Sequence, residues 1–105
     1  MATQYGIVLV TIGSQEEGEV IARTLLTEKL AACINIFPVQ SLYTWQGEIN
    51  SDREYQLIIK TDLACFDKLE AKIKALHTYE VPEIIAIPIV AGASDYLNWL
   101  GNSLK

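Results

Sequence analysis

The chain has 105 residues, half of them hydrophobic and a fifth charged, which bounds it to one ordered domain with a modest core. Thirteen acidic residues stand against eight basic ones, and Lys68, Lys72 and Lys74 lie among Asp67 and Glu70, so no positive surface for nucleic acid or an anionic membrane is expected. The longest apolar run, residues 84–93, is half a membrane span broken by Pro88 and Gly92, and residues 1–4 lack the basic and apolar parts of a signal peptide; the expectation is a soluble, cytoplasmic protein.

Residues 5–12 (Y-G-I-V-L-V-T-I) are β-branched and nearly continuously apolar, as in a central strand, and Gly13 ends it. Ser14 and Glu17 form an S-x-x-E capping box, with Glu16 and Glu17 at the positive end of the helix dipole. This helix is expected to run to about Leu30, burying Ile21, Ala22, Leu25 and Leu26 and pairing Glu19 with Arg23 outside. A second strand over residues 31–37 is closed by Pro38. Residues 40–45 alternate and carry it outward, with Tyr43 and Trp45 on one face. Gln46-Gly47 suits a two-residue hairpin turn, because glycine tolerates a positive φ. Residues 48–60 return as a third strand, irregular around Asn50-Ser51-Asp52. Asp62 caps a second helix to about His77, whose apolar stripe is Phe66, Leu69, Ile73 and Leu76. After a loop over 78–82, residues 83–90 form a fourth strand and Ser94 caps a short last helix carrying Tyr96 and Trp99.

This order specifies an α+β, ferredoxin-like β-α-β-β-α-β sandwich: a four-stranded antiparallel sheet, two helices on one face and a short C-terminal helix. Right-handed crossovers place the first and third strands in the middle. Pro38 and Pro88 then fall on the edge strands, where a missing ladder donor is tolerated. Cys33 and Cys65, one in a strand and one near a helix start, are expected to be free thiols.

Five pieces, L-A-A-C-I-N-I (30–36), S-L-Y-T-W-Q-G (41–47), I-K-T (59–61), H-T-Y-E-V-P-E (77–83) and D-Y-L-N-W-L (95–100), resemble the CutA family, proteins named for divalent-cation tolerance. The similarity spans nearly the whole chain with the same gaps between pieces. It implies a tight homotrimer, with binding of copper or another divalent cation attributed to the family. It also implies that His77, Tyr79, Glu83, Lys60, Tyr43 and Trp45 lie toward a groove between subunits, and Trp99 is grouped with them. The copper pattern attributed to some members uses a first-strand cysteine and a histidine pair before Pro-Tyr. Here Val10, Leu76 and Thr78 stand at those positions, and His77 is what remains of the set.

A soft transition-metal site needs several convergent Cys, His or carboxylate ligands, and the chain offers one histidine, two distant cysteines and no C-x-x-C. The loop after the first strand holds no thiol, which excludes a ferredoxin-like metallochaperone. An acidic helix start with no arginine before Arg23 excludes the phosphate cradle of an acylphosphatase, and one histidine with no nucleophile motif argues against a triad; the chain is read as a non-enzyme. His77 is either a metal ligand or a hydrogen-bonded histidine at a helix end. The cleft residues either bind a ligand or pack an interface, since Tyr and Trp suit both. Three readings follow: a trimer linked to divalent-cation tolerance with weak metal binding through His77 and carboxylates, a trimer sensing a small molecule in the intersubunit cleft, and a passive stable scaffold. No cofactor is obligatory in any of them.

Overall fold

The computed structural model describes residues 3–105. In chain order its elements are β1 (Tyr5–Ile12), α1 (Gln15–Thr27), β2 (Cys33–Trp45), β3 (Glu48–Asp62), a 3-10 turn (Leu63–Cys65), α2 (Phe66–Leu76), β4 (Ile85–Pro88) and α3 (Ser94–Ser103). The sheet is antiparallel throughout with strand order β2-β3-β1-β4, so the expected central pair and both expected edges are present. Strand alternation sorts the side chains: Val8, Val10 and Ile12 of β1, with Leu57 and Ile59 of β3, are fully buried. They pack with Ile21 and Leu25 of α1 and Leu69 and Ile73 of α2 in a single core cluster. The opposite face of the sheet carries Ile7, Leu9, Phe37, Ile58, Ile85 and Ile87. Phe37, Ile85 and Ile87 among them are large exposed apolar residues.

Several local details depart from the sequence reading. Helix α1 stops at Thr27, short of Leu30, because Lys29 takes a left-handed conformation with φ 58°. The Leu30 amide then donates to the Leu25 carbonyl (2.9 Å) and the Lys29 amide to that of Leu26 (3.1 Å), a Schellman ending built on lysine where glycine is usual. Leu26 is consequently 41% exposed rather than part of the core stripe; Leu76, at the end of α2, is likewise exposed, at 37%. Ser14 caps α1 as expected, accepting from the Glu17 amide at 3.2 Å. The Glu17 carboxylate contacts the Ser14 and Thr78 hydroxyls, so the reciprocal half of the box is diverted to the loop after α2. Glu19 and Arg23 do not pair; the ion pairs among the described residues are Lys72–Glu28 and Lys74–Glu70.

Asp62 caps through Ala64, but a 3-10 turn precedes the α-helix proper. Ser94 is the first residue of α3 and makes no cap bond; Ala93 occupies the cap position. The fourth strand is shorter than expected, Ile85–Pro88, although Ile89 still donates to the Tyr5 carbonyl at 3.0 Å. Neither cysteine is bridged.

The largest departure shapes the molecule. Pro38 does not close β2, and Asn50-Ser51-Asp52 do not interrupt β3; their ladder is unbroken from Cys33↔Lys60 to Trp45↔Glu48. Pro38 is tolerated because it lies on an edge strand, where an amide facing outward has no partner to lose. Gln46 (φ 52°) and Gly47 (φ 80°) make the turn, the backbone signature of a type I′ hairpin. Pairing of β3 with β1 covers Tyr55 to Asp62, so residues 48–54 are paired with β2 alone. At about 3.4 Å per residue they project roughly 20 Å beyond the sheet. The radius of gyration, 14.3 Å, accordingly exceeds the roughly 13 Å of a compact chain of this length.

Candidate functional site

The base of this ribbon meets the loop that follows α2, and between them lies a groove of about 610 Å³. Residues 40–43 and Trp45 of β2, Glu54 of β3, Thr11 at the end of β1, and Tyr79, Glu80, Val81 and Glu83 of the loop line it. Loop and ribbon are tied together by one buried contact. The Tyr79 hydroxyl donates to Glu54 Oε2 at 2.7 Å, and Glu54 is only 7% exposed. Further out, the Tyr43 hydroxyl donates to the Asp52 carboxylate. The lining contains three carboxylates and no lysine, arginine or histidine.

His77 holds the loop from behind. Its Nδ1 accepts from the Tyr79 amide at 3.0 Å, which leaves Nε2 to carry the proton and donate to the Thr11 carbonyl at 2.7 Å. Its ring lies 4.7 Å from that of Tyr79. The lone pair with which a neutral imidazole would hold a metal ion is therefore occupied. Among the described residues no three His, Cys, Asp or Glu side chains converge into a metal-binding group. Val10, at the cysteine position of the copper pattern, is fully buried in the core.

Of the residues grouped in the cleft from sequence, the structure brings Tyr43, Trp45, Tyr79 and Glu83 together in one subunit. Lys60 lies further along β3, donating to Asn35 Oδ1 at 2.7 Å and approaching Cys33 Sγ at 3.8 Å. Trp99 is on α3, tilted at 40° against Tyr96 with centroids 5.4 Å apart. Sequence reasoning missed Glu54, the carboxylate the loop is tied to. Strand parity would have placed it with Gln56 and Ile58 on the face opposite the core, so the sequence carried no signal of its burial.

Both tyrosines are made harder to ionise. Burial, followed by the hydrogen bond to Glu54 and its negative charge, raises the Tyr79 phenol above its ordinary value. Tyr43 is raised chiefly by its hydrogen bond to Asp52. The folded state therefore keeps the Tyr79 proton to higher pH than the unfolded chain does. Stability is full below the ordinary tyrosine value of 10.0 and falls as pH rises past it. Phenolate absorbance is expected to keep growing well above that pH, and the late portion to shrink in Tyr79→Phe to what Tyr43 contributes. A titration complete near 10.0 would overturn the assignment.

The sequence profile of the CutA1 divalent ion tolerance protein family matches residues 6–103. The chain belongs to the CutA family. It is 50% identical over 95 residues to the divalent-cation tolerance protein CutA of Thermus thermophilus, covering 90% of this chain and 92% of that one. Solved CutA structures share the fold. The periplasmic divalent cation tolerance protein CutA of Archaeoglobus fulgidus superposes with a TM-score of 0.94 at 40% identity, covering 96% of this chain and 99% of that one. CutA1 of Oryza sativa gives 0.94 at 44% identity, covering 99% and 96% respectively. The chain is thus a CutA-family divalent-cation tolerance protein, with its groove between the CutA hairpin and the 79–83 loop.

Proposed function

We propose that the chain acts in divalent-cation tolerance as a non-catalytic homotrimer, whose grooves hold a divalent cation weakly through carboxylate oxygens. The observation that carries this is the groove lining, with Glu54, Glu80 and Glu83 present and no basic residue to neutralise them. Oxygen donors suit hard cations, whereas tight copper binding calls for imidazole or thiolate ligands. The donor set of one subunit does not fit a tightly held copper ion: His77 has both ring nitrogens engaged, and neither cysteine lines the groove. Support for the trimer comes from the ribbon. An isolated two-stranded ribbon is marginal in water, and this one exposes Leu42, Tyr43, Trp45 and Ile49 beside an edge strand with free ladder groups. A neighbouring copy supplies the missing partner and makes the groove an intersubunit one.

Isothermal titration with copper and with magnesium tests the metal reading. His77→Ala, which removes the loop's support, should change the affinity for both metals by the same factor, while Glu83→Gln should bind both more weakly. Loss of copper binding in His77→Ala with magnesium binding retained would overturn it. A second reading is favoured by size. A groove of about 610 Å³ with three aromatic walls has the dimensions of a small-molecule site, which supports reading the trimer as a sensor of such a ligand.

A further inference from the structure

The small-molecule reading leaves open what kind of molecule the groove would take, and its chemistry narrows the choice. The groove is far larger than one dehydrated metal ion requires, and its carboxylates are spread along it without converging on a single point. Tyr43, Trp45 and Tyr79 are each partly exposed there, at 41%, 42% and 37%. Aromatic faces attract organic cations through their quadrupoles. Glu54 supplies the second recognition element. It is more than nine-tenths buried and lines the groove, yet only Oε2 has a hydrogen-bond partner; Oε1 has none among the described residues. Among the described residues no side-chain oxygen is both sealed from solvent and unpaired, so Oε1 is open to the groove, where it can accept from a cationic donor. Glu80 and Glu83 add negative charge from the loop, and no basic side chain lies in the lining to draw an anion.

We propose that the groove is a site for a small organic cation, an alkylammonium or guanidinium compound. Its charged group donates to Glu54 Oε1 and its carbon skeleton lies against Tyr43, Trp45 and Tyr79. The proposal rests on the small-molecule reading of the groove and adds the class of ligand. It also gives the Tyr79–Glu54 bond a use: with Oε2 held by the phenol, Oε1 is fixed in place before a ligand arrives.

Isothermal titration of the assembled protein with 1,4-diaminobutane, 1,4-butanediol and magnesium chloride, at constant ionic strength, tests it. The diamine should bind saturably and the size-matched neutral diol at least about tenfold more weakly, the scale of a lost charge-assisted hydrogen bond. Glu54→Gln, which keeps an acceptor for Tyr79 but removes the charge, should weaken the diamine by a similar factor. Should that variant fold poorly, Glu83→Gln on the exposed loop reads the same charge dependence and should weaken binding several-fold. Diol binding as tight as the diamine would overturn the cation proposal while leaving a small-molecule groove. Binding of neither diamine nor diol would overturn both. Magnesium bound in the groove with no diamine binding would assign it to a metal ion. Diamine binding untouched by either glutamate variant would place the ligand elsewhere and overturn the proposal.

Discussion

Trp45→Asp is expected to lower the melting temperature and to shift the protein from the proposed trimer toward monomer in sedimentation velocity. Trp45 occupies the last ladder pair before the turn, opposite Glu48, on a ribbon segment that receives nothing from the rest of its own sheet. It is 42% exposed within the subunit, where it also lines the groove, and the part of its ring turned away from the groove is left for a neighbour to cover. Burying an aromatic side chain is worth about 1.5–3 kcal/mol by transfer bookkeeping, and the loss recurs in each chain of the assembly. Aspartate adds a carboxylate directly opposite that of Glu48, and like charges facing across a ladder destabilise it further. Where association stabilises the folded subunit, dissociation and unfolding become linked, and both readouts should move together. An intact trimer with an unchanged melting temperature would remove the ribbon from the assembly contact.

The strand order was legible because few topologies satisfy two right-handed crossovers and two edge prolines at once, and Pro38 and Pro88 do lie on β2 and β4. Signals that depend on near neighbours also read correctly: Ser14 and Asp62 as caps, Gln46-Gly47 as the turn. Two local signals failed, the Ser94 cap and the Glu19–Arg23 pair; the other failures depend on partners distant in sequence or on unusual residues in common roles. Lys29 ends α1 in a conformation that glycine normally announces, so the motif had no sequence marker. Asn50-Ser51-Asp52 looked irregular, but cross-strand pairing with residues 41–43 holds them in register. Glu54 carries no mark of its role in the sequence, because its partner, Tyr79, comes 25 positions later. His77 was weighed as a ligand on residue type. Only the positions of Thr11 and the Tyr79 amide reveal that its two nitrogens are engaged in shaping the loop.

That tie between loop and ribbon carries the second large effect. Tyr79→Phe removes a single hydroxyl, and its ring still fits beside His77. Yet it is expected to destabilise the protein by about 1.5–3 kcal/mol at neutral pH, the range for a hydrogen bond to a charged group. The cost arises at Glu54, which is 7% exposed and takes from Tyr79 its one hydrogen bond among the described residues. Water reaching Glu54 through the opened groove would reduce the loss, which places the expected value toward the lower end. A double-mutant cycle separates the tie from loss of packing. Glu54→Leu removes the carboxylate that needs the donor, so combining it with Tyr79→Phe should cost much less than the two single losses added together. Chemical denaturation of the four proteins, at a concentration that keeps the assembly constant, gives the coupling directly. Additive losses, or a Tyr79→Phe variant as stable as wild type, would mean that the phenol merely lies beside Glu54 and that the loop is held by His77 and by the Thr78–Glu17 contact.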